Sequence, residues 1–233
     1  MRQTGFFHHI GTFLLFSATV LLIITDISAP VVNGISMLRV DLATSSNRSP
    51  SLTFGTFGYC VRDTTDSGQD FCSRSRVGYD PVSVVEQNVR DVDFSDAATD
   101  TSKALTRVMI LHPIATGLAF IAFLLALGAG VIGSLLASLC SLLTFIVTLV
   151  ALICDFVAFG IIKNEVNDAD NGSRAEWGAA SWTILVSAIC SFLATFVVFF
   201  TCCSARLHRR REARAVKDVP DGYGTPARRR RWW

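Results

Sequence analysis

The sequence between residues 108 and 162 reads VMILHPIATGLAFIAFLLALGAGVIGSLLASLCSLLTFIVTLVALICDFVAFGII, with one acid, Asp155, and no Lys or Arg. About 20 helical residues cross the hydrocarbon core of a bilayer, so this stretch is too long for one span and long enough for two. Glycines punctuate helices, and the segment 128–134 therefore predicts a tight turn. We expect membrane spans at residues 109–127 and 135–162.

Two further apolar runs, at residues 10–27 and 179–201, complete a predicted set of four spans. The first could instead be a cleaved signal peptide, given Arg2 before it and the small Ala29 after it. Pro30 directly follows that candidate cleavage site and disfavours cleavage. Only 17% of the residues are charged, against roughly a quarter in soluble domains. The sequence thus predicts an all-α membrane protein built on a four-helix bundle.

Charge sets the expected orientation of these spans. The C-terminal tail, 202–233, carries ten Lys or Arg and three Asp or Glu, whereas both longer polar segments between spans are net acidic. Because Lys and Arg stay on the cytoplasmic side of the membrane, we expect the tail to be cytoplasmic. Four spans then place the N-terminus there as well. The predicted segments are a cytoplasmic N-terminus at 1–9, an extracellular loop at 28–107, a cytoplasmic turn at 128–134, a second extracellular loop at 163–178 and the cytoplasmic tail.

The first extracellular loop contains two cysteines, Cys60 and Cys72, and an oxidising exterior would let them pair. Such a bond closes a loop of about 13 residues, worth roughly 3 kcal/mol in the chain-entropy model; two free thiols are the alternative. The chain has seven cysteines, so they cannot all pair within it. The two loops also hold glycosylation sequons at Asn47 and Asn171, although such triplets also occur by chance.

Two titratable residues fall within or beside the spans and are candidates for a response to protons. Asp155 lies inside the third span, where a charge is expensive. It must be protonated, paired, or hydrogen-bonded to a Ser, Thr or Trp of another helix. His112, next to Pro113, opens the second span, and its unperturbed pKa lies near 6.5. The alternative for His112 is a structural corner at the entry of the helix.

Other residues suggest membrane attachment or surface chemistry. Cys202 and Cys203, at the inner end of the fourth span, are candidates for palmitoylation, with reduced interfacial thiols as the alternative. The basic run at 206–211 could hold anionic lipid. Near the cysteine pair lie four acids, which either form a proton-responsive cluster or a solvated acidic loop; they are Asp63, Asp66, Asp70 and Asp80. No catalytic, metal-binding, nucleotide-binding or nucleic-acid-binding motif is present, so we expect no enzyme activity, cofactor or small-molecule substrate.

A set of short motifs carries a family resemblance. FGTFGYC at 54–60 is followed by Cys72, by VGYDP at 77–81 and by LHPIATG at 111–117; ISAPVV at 27–32 leaves the first span. The chain resembles fungal PalI-type membrane proteins of the ambient-pH signalling pathway. The residues of its loop motif are Gly58, Tyr59, Cys60, Gly78, Tyr79 and Asp80.

The resemblance implies a claudin-like bundle whose first extracellular loop packs partly as a small sheet. It also implies a plasma-membrane protein that assists a larger seven-span pH receptor, upstream of an arrestin-like adaptor. The tail is shorter than in many relatives, which puts any signalling by a long tail in doubt here. The alternative is a structural organiser of plasma-membrane domains of the eisosome type. A transporter would need more polar groups inside the spans.

Overall fold

The computed structural model of the protein describes residues 6–43, 49–63, 70–128, 131–169 and 171–217. Most of these residues are helical, and the rest include five short strands. The helices are α1 (Phe6–Asp26), α2 (Pro81–Asn88), α3 (Asp96–Val108), α4 (Leu111–Leu127), α5 (Val131–Asp168) and α6 (Ala179–Lys217), and the strands are β1 (Leu38–Asp41), β2 (Ser51–Phe54), β3 (Tyr59–Arg62), β4 (Phe71–Cys72) and β5 (Arg174–Trp177).

The four long apolar helices form a bundle in which α1 contacts α4 and α6, and α5 contacts the same two helices from the opposite side. All four are long and apolar enough to cross a membrane. Their outward faces expose large apolar side chains, among them Phe13, Phe120 and Phe200. Such a surface is stable in contact with lipid tails. The chain is therefore a multi-pass membrane protein, and the predicted fold class is confirmed.

Small and hydroxyl-bearing side chains fill the interior of the bundle. Ala126 and Ala137 are fully buried where α4 meets α5, which lets the helix backbones approach closely. Hydroxyl pairs also join helices: Ser141 and Thr195 place their oxygens 2.7 Å apart. In lipid, such hydrogen bonds hold helices together because the hydrophobic effect no longer does so.

The polar segments between the spans fold together into one unit, which we call the cap (residues 28–110 and 171–178, as far as they are described). Its five strands form an antiparallel sheet in the order β4-β3-β2-β1-β5. Strand β5 comes from the second polar segment and pairs with β1, with Leu38 opposite Trp177. Two loops far apart in sequence thus share one sheet, which agrees with the small sheet implied by the resemblance.

Helix α5 is longer than the predicted third span. Its 38 residues correspond to about 57 Å at 1.5 Å per residue, well beyond the roughly 30 Å hydrocarbon core. The sequence analysis assigned residues from Lys163 onward to a loop, but α5 continues to Asp168. The reason is packing: Phe159, Ile162 and Val166 follow helical spacing and are fully buried in the core of the cap.

Two helices of the cap were not predicted at all, because their apolar faces are short. Both start at side-chain caps: Asp80 accepts a hydrogen bond from the backbone N–H of Ser83, and Ser95 accepts one from Ala98. Proline at the first position of α2 is preorganised for a helix start. At the other end of the chain, α6 runs on to Lys217, past the predicted end of the fourth span at Thr201.

Candidate functional site

His112 lies in the first turn of α4, next to the cap, and is 0% exposed. Its Nδ1 is 3.0 Å from the carbonyl oxygen of Met109. A carbonyl oxygen only accepts hydrogen bonds, so Nδ1 carries a hydrogen in this contact. The other ring nitrogen, Nε2, then holds either a lone pair or the second hydrogen of an imidazolium.

Asp155 of α5 faces that second nitrogen. Its Oδ2 lies 2.9 Å from His112 Nε2, and the residue is 3% exposed. The two atoms are close, but an N–H bond on Nε2 would not point at Oδ2 well enough for a hydrogen bond. We therefore describe the contact as an ion pair. A lone pair and an ionised carboxylate repel each other at this distance. The contact therefore requires one proton held between the two side chains.

The partnership between these residues was not predicted. The sequence analysis treated Asp155 and His112 separately and considered Ser, Thr or Trp as partners for the acid. The structure brings the two together across the α4–α5 interface. Removing one member of a buried ion pair typically costs about 3–5 kcal/mol, because the other charge is left without compensation. The pair therefore links two membrane helices in a way that depends on protonation.

A third helix joins this site through Thr116. Its hydroxyl donates to Asp26 Oδ2 over 2.6 Å, which connects α4 to the end of α1. The same hydroxyl oxygen lies 3.0 Å from the carbonyl oxygen of His112. Asp26, the last residue of α1, was not predicted to belong to a site. In the part of the chain that the structure describes, no three His, Cys, Asp or Glu residues are grouped so that they could hold a metal ion.

Tyr79 connects the cap to the same region. Its ring is fully buried, its hydroxyl donates to the carbonyl oxygen of Gly55 over 2.8 Å, and its own carbonyl accepts from Thr106. Burial, followed by the negative charge of Asp155, raises the pKa of Tyr79 well above its usual value. The charge on Asp155 thus acts on a motif residue of the cap.

The residues beside Tyr79 have structural roles. Gly78 adopts a φ of 72°, in the left-handed region that favours glycine, and a Cβ there would overlap the side chain of Arg107. Asp80 caps α2 and lies 3.5 Å from Lys103 Nζ. The GlyTyrAsp motif therefore shapes the turn that places Tyr79 in the core.

The other half of the motif surrounds the disulfide. Cys60 and Cys72 form a bond that ties β3 to β4, so the predicted disulfide is confirmed. Gly58 precedes β3 at a position where a Cβ would overlap the hydroxyl of Ser73. The ring of Tyr59 lies 6.2 Å from the ring of Tyr79, centroid to centroid, which joins the two halves of the motif.

Two of the four acids near the disulfide have a basic partner, and the described, exposed Asp63 forms no ion pair within the described residues. Asp70 pairs with Arg62 at 3.2 Å, and Asp80 pairs with Lys103. Asp66 lies outside the described residues. For Asp70 and Asp80, the opposite charges nearby argue against a cluster of mutually repelling carboxylates, which the proton-responsive alternative requires.

The predicted modification sites remain predictions. Asn47 lies outside the described residues. Asn171 is described: its side-chain nitrogen donates to the carbonyl oxygen of Arg90, and its oxygen accepts from the N–H of Ser173. Cys202 and Cys203 fall on the backbone of α6, but their side chains lie outside the described part.

A family comparison agrees with this architecture. The model of the SUR7/PalI family matches residues 7–194, which include the cap, α4, α5, nearly all of α1 and the first part of α6. The chain belongs to the SUR7/PalI family. The resemblance found in the sequence is thereby confirmed. Both Asp155 and His112 lie within the segment that matches the family.

Curated SUR7/PalI relatives are similar over part of the chain. A protein of Emericella nidulans named pH-response regulator protein palI/RIM9 is 31% identical over 118 residues, 51% of this chain and 18% of that protein. The Neurospora crassa pH-response regulator protein palI/prr-5 is 34% identical over 116 residues, 50% of this chain and 15% of its own length. A Pyricularia oryzae pH-response regulator protein palI/RIM9 is 26% identical over 153 residues, which are 63% of this chain and 19% of that protein. The matched segments thus cover less than a fifth of each relative.

Proposed function

We propose that the protein is a non-catalytic regulator in the plasma membrane that takes part in the fungal response to external pH. Three relatives carry the name pH-response regulator, and the family match covers most of the chain. In this proposal the protein assists a larger seven-span pH receptor and acts upstream of an arrestin-like adaptor. The cap faces outward, and both termini are cytoplasmic.

The observation that carries the proposal is the buried pair of His112 and Asp155. With one proton between them, the pair is neutral overall and attractive. When alkali removes that proton, a lone pair on Nε2 faces a carboxylate and the attraction between α4 and α5 is lost. Acid therefore favours the closed contact and alkali favours its opening, and this change supplies the input for a regulator of pH response.

Other titratable groups around the pair act on the same equilibrium. Asp26 of α1 interacts with His112 by its charge, and Tyr79 of the cap and Cys154 of α5 interact with the charge of Asp155. An ionised Asp26 favours the protonated histidine, because opposite charges attract. Neutral Tyr79 and Cys154 add no charge near neutral pH, so the pair and Asp26 determine the proton balance.

The test uses a deletion strain complemented with matched variants. His112→Gln removes the titrating ring, and Asp155→Asn removes the charge with little change in size. We expect the deletion to impair growth only in alkaline medium and the wild-type chain to restore it. Both variants should reach the cell surface yet restore alkaline growth poorly. The exposed Asp93 offers the control Asp93→Asn, which should behave as wild type.

Co-purification separates this proposal from the alternative. The wild-type chain should recover a seven-span protein from plasma membranes in amounts that differ between acid and alkaline medium, and His112→Gln should remove that difference. Normal alkaline growth of the deletion strain, together with scattered cortical membrane patches, would instead support a structural organiser. Full complementation by both variants would remove the His112–Asp155 pair from the mechanism.

A further inference from the structure

An open cavity of about 680 Å³ lies between the last turns of α5, strand β5 and the first turn of α6. Its volume is within the range of small-molecule sites, about 300–1,000 Å³. It is separate from the His112–Asp155 pair, none of whose residues line it. The side chains that bear on its chemistry are Lys163, Arg174, Glu176, Trp177 and Trp182.

Two of these side chains are cations, Lys163 and Arg174. Neither Lys163 nor Arg174 forms an ion pair with any residue in the described ranges. They belong to different elements, α5 and β5, so the cavity is lined by two positive groups from separate parts of the fold. Such an arrangement suits a phosphate, which accepts charge-assisted hydrogen bonds from both Lys and Arg.

The same cavity carries features that suit a cation. Glu176 lines it and supplies one negative charge. Two indoles line it as well: Trp182 is 56% exposed, and Trp177 is held against Phe156 with ring centroids 4.6 Å apart. Quaternary ammonium groups bind to the faces of such rings. The site therefore presents binding groups for both signs of charge.

The cavity lies at the boundary of the membrane. Lys163 directly follows the apolar stretch that ends at Ile162, and Trp182 precedes most of the apolar run of α6. Tryptophan is enriched at the level of lipid headgroups. The wall of the cavity is also fixed, because the Asn167 side chain donates to and accepts from the backbone of Ala175 at 3.2 and 2.8 Å.

We propose that this cavity binds the zwitterionic headgroup of a phospholipid, with the phosphate between Lys163 and Arg174 and the choline or ethanolamine nitrogen near Glu176 and the indoles. A free phosphate would use only half of these groups. An anionic lipid without the ammonium group would place no cation beside Glu176 and the indoles. The site thus selects lipids by headgroup and holds them at the junction of cap and bundle.

The chain has four tryptophans, of which Trp232 and Trp233 lie in the tail. A background with Trp232→Phe and Trp233→Phe therefore leaves only the two cavity indoles as fluorescent reporters. The full-length protein in maltoside micelles is titrated with dihexanoylphosphatidylcholine or with dihexanoylphosphatidylglycerol. We expect a saturable fluorescence change that requires a lower concentration of the phosphatidylcholine.

Variants of the charged residues give the decisive comparison. Lys163→Gln with Arg174→Gln should weaken phosphatidylcholine binding by about tenfold or more. Glu176→Gln should keep the phosphate contacts and reduce the preference for phosphatidylcholine over phosphatidylglycerol. The matched control, Arg74→Gln with Arg76→Gln, removes two exposed cations elsewhere on the cap and should bind as the parent does.

The titrations distinguish a headgroup-selective site from unspecific lipid binding. Headgroup-selective saturation that is lost in the cavity variants supports the site. Linear, non-saturating changes, or equal curves for both lipids in parent and Glu176→Gln proteins, overturn it. If the double variant fails to fold, the Glu176→Gln comparison still decides the headgroup assignment. None of these results depends on the pH-response proposal.

Discussion

At the scale of single residues, the proton between His112 and Asp155 decides whether α4 and α5 attract each other at their cap end. The ring's first nitrogen is committed to the Met109 carbonyl, so only the second can meet the carboxylate. A histidine free in water could turn its ring to avoid repulsion. This one is fully buried, and its proton is therefore coupled to helix packing.

The first prediction measures that coupling. Asp155→Leu and His112→Leu should each lower the free energy of unfolding by about 3 kcal/mol, because each leaves a buried polar partner uncompensated. For a chain of this size that is roughly 6–12 °C in melting temperature. The double variant should lose clearly less than the sum of the single losses. Thermal unfolding of the purified proteins in detergent provides the measurement.

The exposed acid Asp93 supplies the control for the same experiment. Asp93→Leu makes the same chemical change on the surface of the cap and should shift stability by no more than about 0.5 kcal/mol. Strictly additive losses in the double variant would mean that the two side chains do not interact, and the contact described here would be wrong.

The second prediction concerns Tyr79, whose pKa is raised well above its usual value by burial and then by the charge of Asp155. Above pH of about 10 the unfolded chain releases the phenolic proton and the folded chain keeps it. The folded state then binds more protons, so stability falls as pH rises, by up to about 1.4 kcal/mol per pH unit from this group. Below that pH its contribution is constant.

Melting temperatures between pH 8 and 11 test this prediction. Tyr79→Phe should be less stable at every pH, because the Gly55 carbonyl loses its hydrogen-bond donor. Above pH 10, however, its melting temperature should fall less steeply than that of the wild type. Tyr223→Phe removes a phenol from the tail and should decline like the wild type. Parallel curves for Tyr79→Phe and wild type would show that Tyr79 ionises freely in the folded protein.

The sequence identified both members of the buried pair for sound reasons, since an acid within a span and a histidine at its entry are each unusual. It could not identify their partnership, because that depends on which helices are neighbours and how they are rotated. One clue was available. In the predicted antiparallel arrangement, residues 112 and 155 both lie near the outer ends of consecutive spans.

At the scale of elements, the end of α5 closes the edge of the cap sheet. Strand β5 pairs with β1 on one side only, and an open edge exposes unpaired backbone groups to other chains. The amide of Asn167 donates to the carbonyl of Ala175 and accepts its N–H. The side chain of Asn167 thus makes the two hydrogen bonds to Ala175 that a neighbouring strand would otherwise make.

The third prediction follows from that replacement. Asn167→Ala should accelerate amide hydrogen exchange in β5 by about tenfold, the equivalent of one lost hydrogen bond. Asn167→Asp can still accept the N–H of Ala175 but cannot donate to its carbonyl. The exchange rate in β5 of this variant should therefore lie between the rates of the wild type and Asn167→Ala. Asn164→Ala changes an exposed residue one turn earlier and should leave exchange in β5 unchanged. Equal exchange in all four proteins would exclude a role for Asn167 at the edge.

The elements themselves were predictable to different degrees. The four spans followed from hydropathy, because apolar runs of that length have few other stable environments. The cap did not follow, since strands of two to four residues carry little signal and β1 pairs with a strand more than 130 residues later. The start of α2 could have been found from Asp80 and Pro81, which together mark a helix N-terminus.

At the scale of the whole molecule, the cap and the bundle share one core at the end of α5. Phe159 and Ile162 of α5 pack with Phe54 and Val85 of the cap, and the His112–Asp155 contact lies beneath them. A movement of α5 relative to α4 would therefore also shift α5 side chains that pack in the core of the cap.

The fourth prediction concerns the direction in which this molecule crosses the membrane. Basic residues concentrate after the fourth span, so the tail should be cytoplasmic and the cap outside. An epitope added after Trp233 should be stained only in permeabilised cells. The same epitope inserted between Ser45 and Ser46, in the connection from β1 to β2, should be stained on intact cells, because such connections tolerate insertions. Growth at alkaline pH checks that each tagged protein still works. Staining of the Trp233 epitope on intact cells would reverse the orientation and place the His112–Asp155 pair at the cytoplasmic end, away from the medium whose pH it is proposed to follow.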